Sequence, residues 1–188
     1  MLGKTPNVAK CEASSAKAIA AADKAAARKN TSCRWLDNGD GTAVDLNTGL
    51  QWEIKTEDGS VHDWGNQYTW STTSGETEPN GTLFTEFLAT LNGGVSNDGS
   101  TTTGCFADHC DWRIPTIGEL RSMLDAQYPN CTHIPCVSIP GHTFPSHYWS
   151  SSTVADAPRY AYYVYVSPGF VGAANKDLAS FPRAVRDY

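Results

Sequence analysis

The chain opens with an alanine-rich stretch whose pattern differs from that of every later segment. Residues 12–29 contain no glycine or proline, and nearly all of their apolar residues are alanine, the strongest helix former. A helix of this kind has little apolar surface to contribute to a core. We therefore predict a helical N-terminal segment at residues 1–33, serving as a tether or an assembly element, ahead of a folded domain at residues 34–188.

From Arg34 onward, short apolar and aromatic runs alternate with turn residues. The turn signals are Asn38-Gly39, Asp40-Gly41 and Asn47-Thr48-Gly49. This alternation is typical of β-hairpins. Asp37, Asp40 and Asp45 resemble calcium ligands, but the EF-hand spacing is not met and such residues are ordinary in tight turns. We therefore expect hairpins here, and no metal.

Two later segments have the apolar periodicity of short helices. Residues 83–92 form an amphipathic pattern that ends at Gly93-Gly94, and residues 116–126 form a second one. In the second segment, Thr116 and Glu119 have the spacing of a capping box. We expect a helix in each place.

The C-terminal part has the composition of strands. Residues 160–166 and 181–188 are rich in tyrosine, valine and other strand-favouring residues, and a glycine-containing loop is expected between them. Hairpins, two short helices and then strands predict an α+β fold.

Composition and charge narrow the function classes. With 188 residues, of which 40% are hydrophobic, the chain can build one buried core and an appendage. The net charge is −6, and no stripe of Lys and Arg is present that could bind nucleic acid or an anionic membrane surface. No stretch reaches the roughly 18 apolar residues that a membrane-spanning helix needs. We therefore expect no nucleic-acid partner and no membrane insertion.

Six cysteines indicate an oxidising compartment. Cys105 and Cys110 enclose one four-residue loop, and Cys131 and Cys136 enclose another. Zinc is the competing interpretation, but its ligand pairs come with further cysteines or histidines at matching distances, which this chain lacks. The spacing therefore favours two local disulfides. No apolar signal-peptide region follows Met1, so the chain resembles a mature secreted segment.

The remaining two cysteines flank the alanine-rich segment. A straight helix between Cys11 and Cys33 would place them roughly 30 Å apart, whereas a disulfide needs Cα atoms within about 7 Å. Either the segment folds back on itself, which we favour, or each cysteine pairs elsewhere.

Four motifs in order carry a resemblance to a known family. GTAVDLNTGLQWE, CDWRIPTIGELRSML, HYWSSST and FPRAVR follow one another within residues 34–188. They resemble the C-terminal domain of Legionella collagen-like adhesins and its bacterial relatives. The resemblance implies a C-type-lectin-like fold with paired terminal strands, two short helices and a loop-rich ligand-binding half.

The residues of these motifs also have plain structural roles. We expect Trp52, Trp112 and Trp149 to be core aromatics. We expect Arg113 and Arg183 to make buried hydrogen bonds to loop carbonyls.

Nothing in the sequence has the arrangement of an active site. The run Ser150–Ser152 lies near His147, but no Gly-x-Ser-x-Gly motif and no orienting acid accompany it. Formylglycine-generating enzymes share the wider fold and use cysteines near the C-terminus. Here the last cysteine is Cys136, and all six are expected to be paired, so no activated thiolate is available. We expect a protein without enzymatic activity or a cofactor.

The C-terminal run has a restricted vocabulary. Domains similar to this one are variable proteins of diversity-generating retroelements, in which randomised codons of the form NNY cannot encode Lys, Glu, Gln, Met or Trp. In residues 154–182, only Lys176 lies outside the permitted set. An ordinary exposed strand rich in tyrosine remains the alternative. The predicted ligand-binding residues are Tyr160, Tyr162, Tyr163, Tyr165, Ser167, Pro168, Phe170, Gly172, Ala173, Ala174, Asn175, Asp177, Leu178, Ala179 and Ser180.

These observations predict a bacterial receptor or adhesin that is secreted or displayed on the cell surface and binds a protein or glycan. One alternative is a carbohydrate-binding adhesin, since the Legionella relatives bind sulfated glycosaminoglycans. However, Arg159 and Lys176 on the expected face are offset by Asp156 and Asp177, which disfavours polyanions. Another alternative is a filament subunit that self-associates through the N-terminal segment.

Overall fold

The computed structural model describes residues 34–94, 104–125, 135–167 and 169–188. The predicted helical segment at residues 1–33, with Cys11 and Cys33, lies outside them, as do Cys131 and Pro168. The described strands are β1 Trp35–Asp37, β2 Thr42–Asp45, β3 Leu50–Glu53, β4 Tyr68–Thr69, β5 His147–Thr153, β6 Tyr160–Tyr165, β7 Phe170–Asn175, β8 Ala179–Ser180 and β9 Val185–Asp187.

The first sheet has the order β1-β2-β3-β9 and is antiparallel throughout. The turn signals produce its hairpins, as predicted. The side chains of Asp37, Asp40 and Asp45 each accept a hydrogen bond from a backbone N–H two residues later, at 2.9–3.0 Å. These carboxylates thus stabilise turns, because an aspartate side chain can close the turn that follows it.

A second sheet has the order β5-β6-β7, and a two-stranded sheet joins β4 to β8. Strand β6 pairs with β7 in unbroken register from Tyr160–Asn175 to Tyr165–Phe170. The prediction of a loop between the two C-terminal strands is wrong, since β7 and β8 occupy most of that segment. In addition, the last predicted strand is shorter than residues 181–188, because only β9 pairs with the first sheet.

Both predicted helices are present. Helix α1 has a π-helical part, Leu83–Leu88, and an α-helical part, Ala89–Leu91, and a 3-10 turn lies at Phe106–Asp108. Helix α2, Ile117–Ser122, begins with the predicted capping box of Thr116 and Glu119. It ends before residue 126 because Leu124 forms a β-bridge with Val137.

Two apolar clusters form the core. One joins the first sheet to α2 and to the inner side of β5 and β6, around Trp52, Leu120 and Val164. The other packs α1 against Trp112 and Trp149. Trp52, Trp112 and Trp149 are at most 2% exposed, which confirms their prediction as core aromatics. Strands in three sheets with short helices make this an α+β fold.

A cluster of charged side chains lies in the interior. Glu53 is fully buried, and its Oε1 accepts hydrogen bonds at 2.8 Å from Lys55 Nζ and from His62 Nδ1. Burial alone would raise the pKa of Glu53, but the charge of Lys55 and the hydrogen bond from His62 outweigh it and lower that pKa. No sequence motif indicated this cluster.

The two arginines of the motifs differ. Arg183 is fully buried and donates to the backbone carbonyls of Glu53 and His142, as expected. The expectation for Arg113 is wrong. Its side chain is 37% exposed, and its guanidinium binds the carboxylate of Glu119 through two hydrogen bonds of 2.7 and 2.8 Å.

Cys105 and Cys110 form the predicted disulfide, with their Cα atoms 5.1 Å apart. Cys136 is also disulfide-bonded, and its predicted partner Cys131 lies outside the described residues.

Candidate ligand-binding site

The motif HYWSSST forms β5, the first strand in the order of the β5-β6-β7 sheet. Trp149 and Ser150 are buried, and their polar atoms are used internally. Trp149 Nε1 donates to the Tyr68 carbonyl at 3.0 Å, and Ser150 Oγ donates to the Tyr162 carbonyl at 2.7 Å. The Oγ of Ser152 accepts from the backbone N–H of Ile117. These serines therefore fasten the strand to its neighbours.

Four aromatic rings meet at the end of this sheet where β6 leads into β7. His147, Tyr165 and Phe170 are cross-strand neighbours in one row. The His147 ring stacks on Tyr165 with centroids 4.4 Å apart, and Phe170 meets Tyr165 edge-on at 5.2 Å. Tyr163 meets His147 edge-on at 4.6 Å. We call His147, Tyr163, Tyr165 and Phe170 the aromatic patch.

The patch is accessible to a ligand. Phe170 is 42% exposed, and the other three side chains are half-buried. A half-buried aromatic ring that is held by its neighbours gives a partner a large contact area at low conformational cost.

His147 was not among the predicted ligand-binding residues. The sequence did contain one signal for it, since the alternation of side chains along a strand places His147 on the same face as Trp149. The cross-strand register that sets His147 beside Tyr165 could not be predicted from the sequence. Burial lowers the pKa of His147. The neutral ring is therefore favoured, and it presents an aromatic surface.

The predicted ligand-binding residues do not share one surface. Alternation along the strands and the register of β6 with β7 sort them between two faces. Tyr163, Tyr165, Phe170, Gly172 and Ala174 lie on the face of the aromatic patch. Tyr160, Tyr162, Ala173 and Asn175 lie on the opposite face. Asp177, Leu178 and Ala179 follow β7 along the chain, and Ser167 precedes it.

Ser180 is an error in the predicted set. Its side chain is only 7% exposed, and its Oγ donates to the His147 carbonyl at 2.6 Å. Because this hydroxyl ties β8 to β5, it is part of the framework beneath the patch.

Lys176 also differs from expectation, since it was counted among the charges of the face. It is 1% exposed, and its Nζ donates to the Thr77 carbonyl at 2.8 Å. The residue outside the permitted vocabulary is thus a framework residue. Arg159 remains as the exposed cation at that end of the sheet.

Tyr163 lies across Gly172. A Cβ atom at Gly172 would meet the Tyr163 hydroxyl oxygen at 2.4 Å and its Cζ at 2.5 Å. The tyrosine ring therefore reaches over the neighbouring strand because glycine leaves the space open, and its hydroxyl lies over β7, the last strand of this sheet within the described residues.

The model of the family described as Lcl C-terminal domain matches residues 41–186, which include every described strand except β1 and the last residue of β9. The chain belongs to the Lcl C-terminal domain family. The resemblance of the four motifs is thereby confirmed. No curated protein and no solved structure matches the chain.

Membership of the Lcl C-terminal domain family indicates an adhesin-like protein at the cell surface or outside the cell, with external binding partners. Among the described residues of this Lcl C-terminal domain, no helix is long and apolar enough to cross a membrane.

Proposed function

We propose that this protein is a secreted or surface-displayed receptor or adhesin that binds a macromolecular ligand, protein or glycan, through the aromatic patch. The observation that carries the proposal is the patch itself. Four rings in mutual contact lie on one face of the sheet, where β6 leads into β7, and the other end of that face packs against α1. Aromatic anchors of this kind dominate the energetics of protein interfaces.

We further propose that the patch belongs to a variable face of the type that diversity-generating retroelements produce. Two observations support this. The exposed residues that the structure describes within 154–182 are all of types that NNY codons can encode. Lys176, which such codons cannot encode, is buried. The motifs HYWSSST and FPRAVR flank the run, and their buried parts, residues 148–150 and 181–185, hold the framework while exposed side chains between them can change.

The proposed fold is C-type-lectin-like. The first sheet supports it, because it joins the N-terminal strands β1 to β3 to the C-terminal strand β9 through the pairing of β3 with β9, and so do the two short helices. We also propose that the protein has no enzymatic activity. The serines of β5 support this, because Ser150 and Ser152 use their hydroxyls in structural hydrogen bonds.

A carbohydrate-binding adhesin is the second candidate, since aromatic rings also stack on sugars. A sulfated glycosaminoglycan is a poor match for this face. With Lys176 buried, Arg159 is the exposed cation beside Asp156 and Asp177. Weak or absent retention on heparin is therefore expected, and binding of heparin that depends on Arg159 would favour the second candidate. A filament subunit is a further alternative. It depends on the N-terminal segment, which lies outside the described residues.

The test is a display library in which Tyr163, Tyr165 and Phe170 are replaced by NNY codons, sorted against one purified protein such as lysozyme. Most members are expected to fold, and binders to lysozyme are expected to emerge. A matched library at the buried positions Trp149, Val164 and Lys176 should lose most folded members. If the two libraries fold equally poorly, the patch is framework and the proposal fails. Independently, a reverse transcriptase gene and a near-copy of the 3′ coding end beside this gene are expected.

A further inference from the structure

Strand β7 has a free outer edge among the described residues, since it is the last strand of the order β5-β6-β7. The backbone N–H of Lys176 donates to the Arg159 carbonyl, on the β6 side. By the two-residue alternation of a strand, the N–H and C=O groups of Val171, Ala173 and Asn175 point away from β6. Within the described chain, the Asn175 carbonyl has a partner there, Leu178 N at 3.1 Å.

This edge lacks the features that usually keep sheet edges apart. The strand FVGAAN contains no charged residue and no proline, and its register with β6 has no bulge. In most proteins a charged residue, a proline or a bulge at an exposed edge prevents another strand from pairing with its free backbone groups. Phe170 and Val171 add exposed apolar side chains, 42% and 38% accessible.

We propose that the occupant of this edge is β7 of a second copy of the chain, paired antiparallel about a two-fold axis at Gly172. The sizes of the side chains along β7 favour this pairing. The strand has its large side chains at one end and its small ones at the other. Pairing about Gly172 places Phe170 beside Ala174 of the second copy and Val171 beside Ala173 of the second copy. The glycines meet at the centre, where strands approach most closely in a pair without mutual hydrogen bonds.

The distribution of charge around β7 favours the same pairing. Residues 160–175 contain no charged side chain, so that two copies of the sheet can approach without like charges in contact, although each chain has a net charge of −6. The charged residues that adjoin β7 are Arg159, Lys176 and Asp177, all at its Asn175 end, and Lys176 is buried. Antiparallel pairing sets this end beside the uncharged Phe170 end of the second copy.

The resulting sheet has six strands, and a two-fold axis perpendicular to it keeps the equivalent faces on one side. The two aromatic patches then lie on the same side of one continuous sheet. A ligand with repeated sites could bind both, and the gain in avidity would require no additional contact. The pairing itself uses backbone groups and does not depend on the proposed function.

The experiment is sedimentation velocity of the full chain over a wide concentration series. A reversible monomer–dimer equilibrium is expected. Ala173→Lys should weaken the dimer about tenfold or more, because it places a charge at the unprotected edge. Ala155→Lys, a matched change in an exposed turn, should leave the equilibrium unchanged. Thermal unfolding of each monomer shows whether the domain is intact.

The register is tested by the double variant Val171→Glu with Ala173→Lys. Residue 171 lies opposite residue 173 of the second copy, so this variant should regain the dimer through two cross-strand ion pairs. A chain that stays monomeric overturns the proposal, including the case in which the edge accepts a strand of another protein. Dimers that are equally strong in Ala173→Lys and Ala155→Lys, or a double variant that is no tighter than Ala173→Lys, overturn it as well.

Discussion

The ammonium group of Lys176 lies 3.6 Å from the centre of the Trp70 ring, although more than one hundred residues separate the two in the chain. The backbone joins them as well, because the Lys176 carbonyl accepts hydrogen bonds from the N–H groups of Trp70 and Ser71. The turn after β7 is thereby fixed to the α1 side of the domain. This contact explains why residues 154–182 include Lys176, their one residue outside the NNY vocabulary.

Lys176→Ala should therefore lower the free energy of unfolding by about 2–3 kcal/mol, from the loss of a desolvated cation–π contact and a charged hydrogen bond. Urea unfolding followed by tryptophan fluorescence measures this loss. Arg159→Ala is the matched control, since it removes an exposed cation nearby and should change stability by less than about 0.5 kcal/mol. Equal effects of the two substitutions would contradict the framework role of Lys176.

The burial of Lys176 also illustrates what the sequence could and could not predict. Hairpins, helix α1 and the capping box of Thr116 were predictable because each depends on residues close together in the chain. Strand β7 was missed because Gly172, Ala173 and Ala174 have low strand propensity, and their extended form comes from pairing with β6. Likewise, a lysine can be recognised as buried only when its distant partners Trp70 and Thr77 are known.

The candidate site, too, was predictable only in part from the sequence. The sequence located the tyrosines of β6, but the grouping of residues into two faces depends on strand register, which a run without strict alternation does not fix. His147 joined the patch because register places it beside Tyr165. The ion pair of Arg113 with Glu119 was missed for a related reason, since it requires the direction in which α2 leaves the preceding segment.

The buried carboxylate of Glu53 should make the fold sensitive to acid. Its pKa is lowered from 4.5 in the folded protein, so that the unfolded chain binds the proton more tightly. The stabilisation is complete at neutral pH and is lost as the pH falls below about 4.5 towards the folded pKa. Urea unfolding from pH 7 to pH 3 should show this decrease, and Glu57→Gln, at an exposed position, should leave it unchanged.

Replacing both partners, Glu53→Gln with Lys55→Met, should remove that component of the acid sensitivity, because neither charge remains buried. Glu53→Gln alone should cost about 3–5 kcal/mol, since Lys55 would be left as an unpaired buried charge. A double variant whose stability falls with acid as steeply as that of the native chain would show that other carboxylates cause the effect.

The Cys105–Cys110 disulfide closes a short loop that supports the contact of Phe106 with Trp112. Changing both cysteines to serine should lower the free energy of unfolding by about 2 kcal/mol, mainly because the unfolded chain gains freedom. Chemical denaturation under non-reducing conditions measures the loss. An unchanged midpoint would mean that the loop is equally constrained without the bond.

Trp149 should contribute more to stability than any residue of the aromatic patch. Trp149→Ala removes a side chain that is 1% exposed together with its hydrogen bond to Tyr68, and a loss of about 3–5 kcal/mol is expected. The half-buried Trp64 is the matched control, and its replacement by alanine should cost clearly less. Full thermal stability of Trp149→Ala, combined with a loss of ligand binding, would reverse its assignment from framework to binding residue.

The contact between Tyr163 and Gly172 predicts an energetic coupling that a double-mutant cycle can measure. Gly172→Ala should destabilise the native chain by about 1 kcal/mol, because the new methyl group displaces a ring held by His147 and Phe170. In a Tyr163→Ala background, the same substitution should be neutral or slightly stabilising, since the space is open and alanine restricts the unfolded chain. The difference between the two costs is the coupling energy. Ala174→Ser, two residues along the same face, serves as a control that should show little coupling to Tyr163. If Gly172→Ala costs the same in both backgrounds, the ring does not lie over the glycine, and the hydroxyl of Tyr163 is not held at the edge of β7.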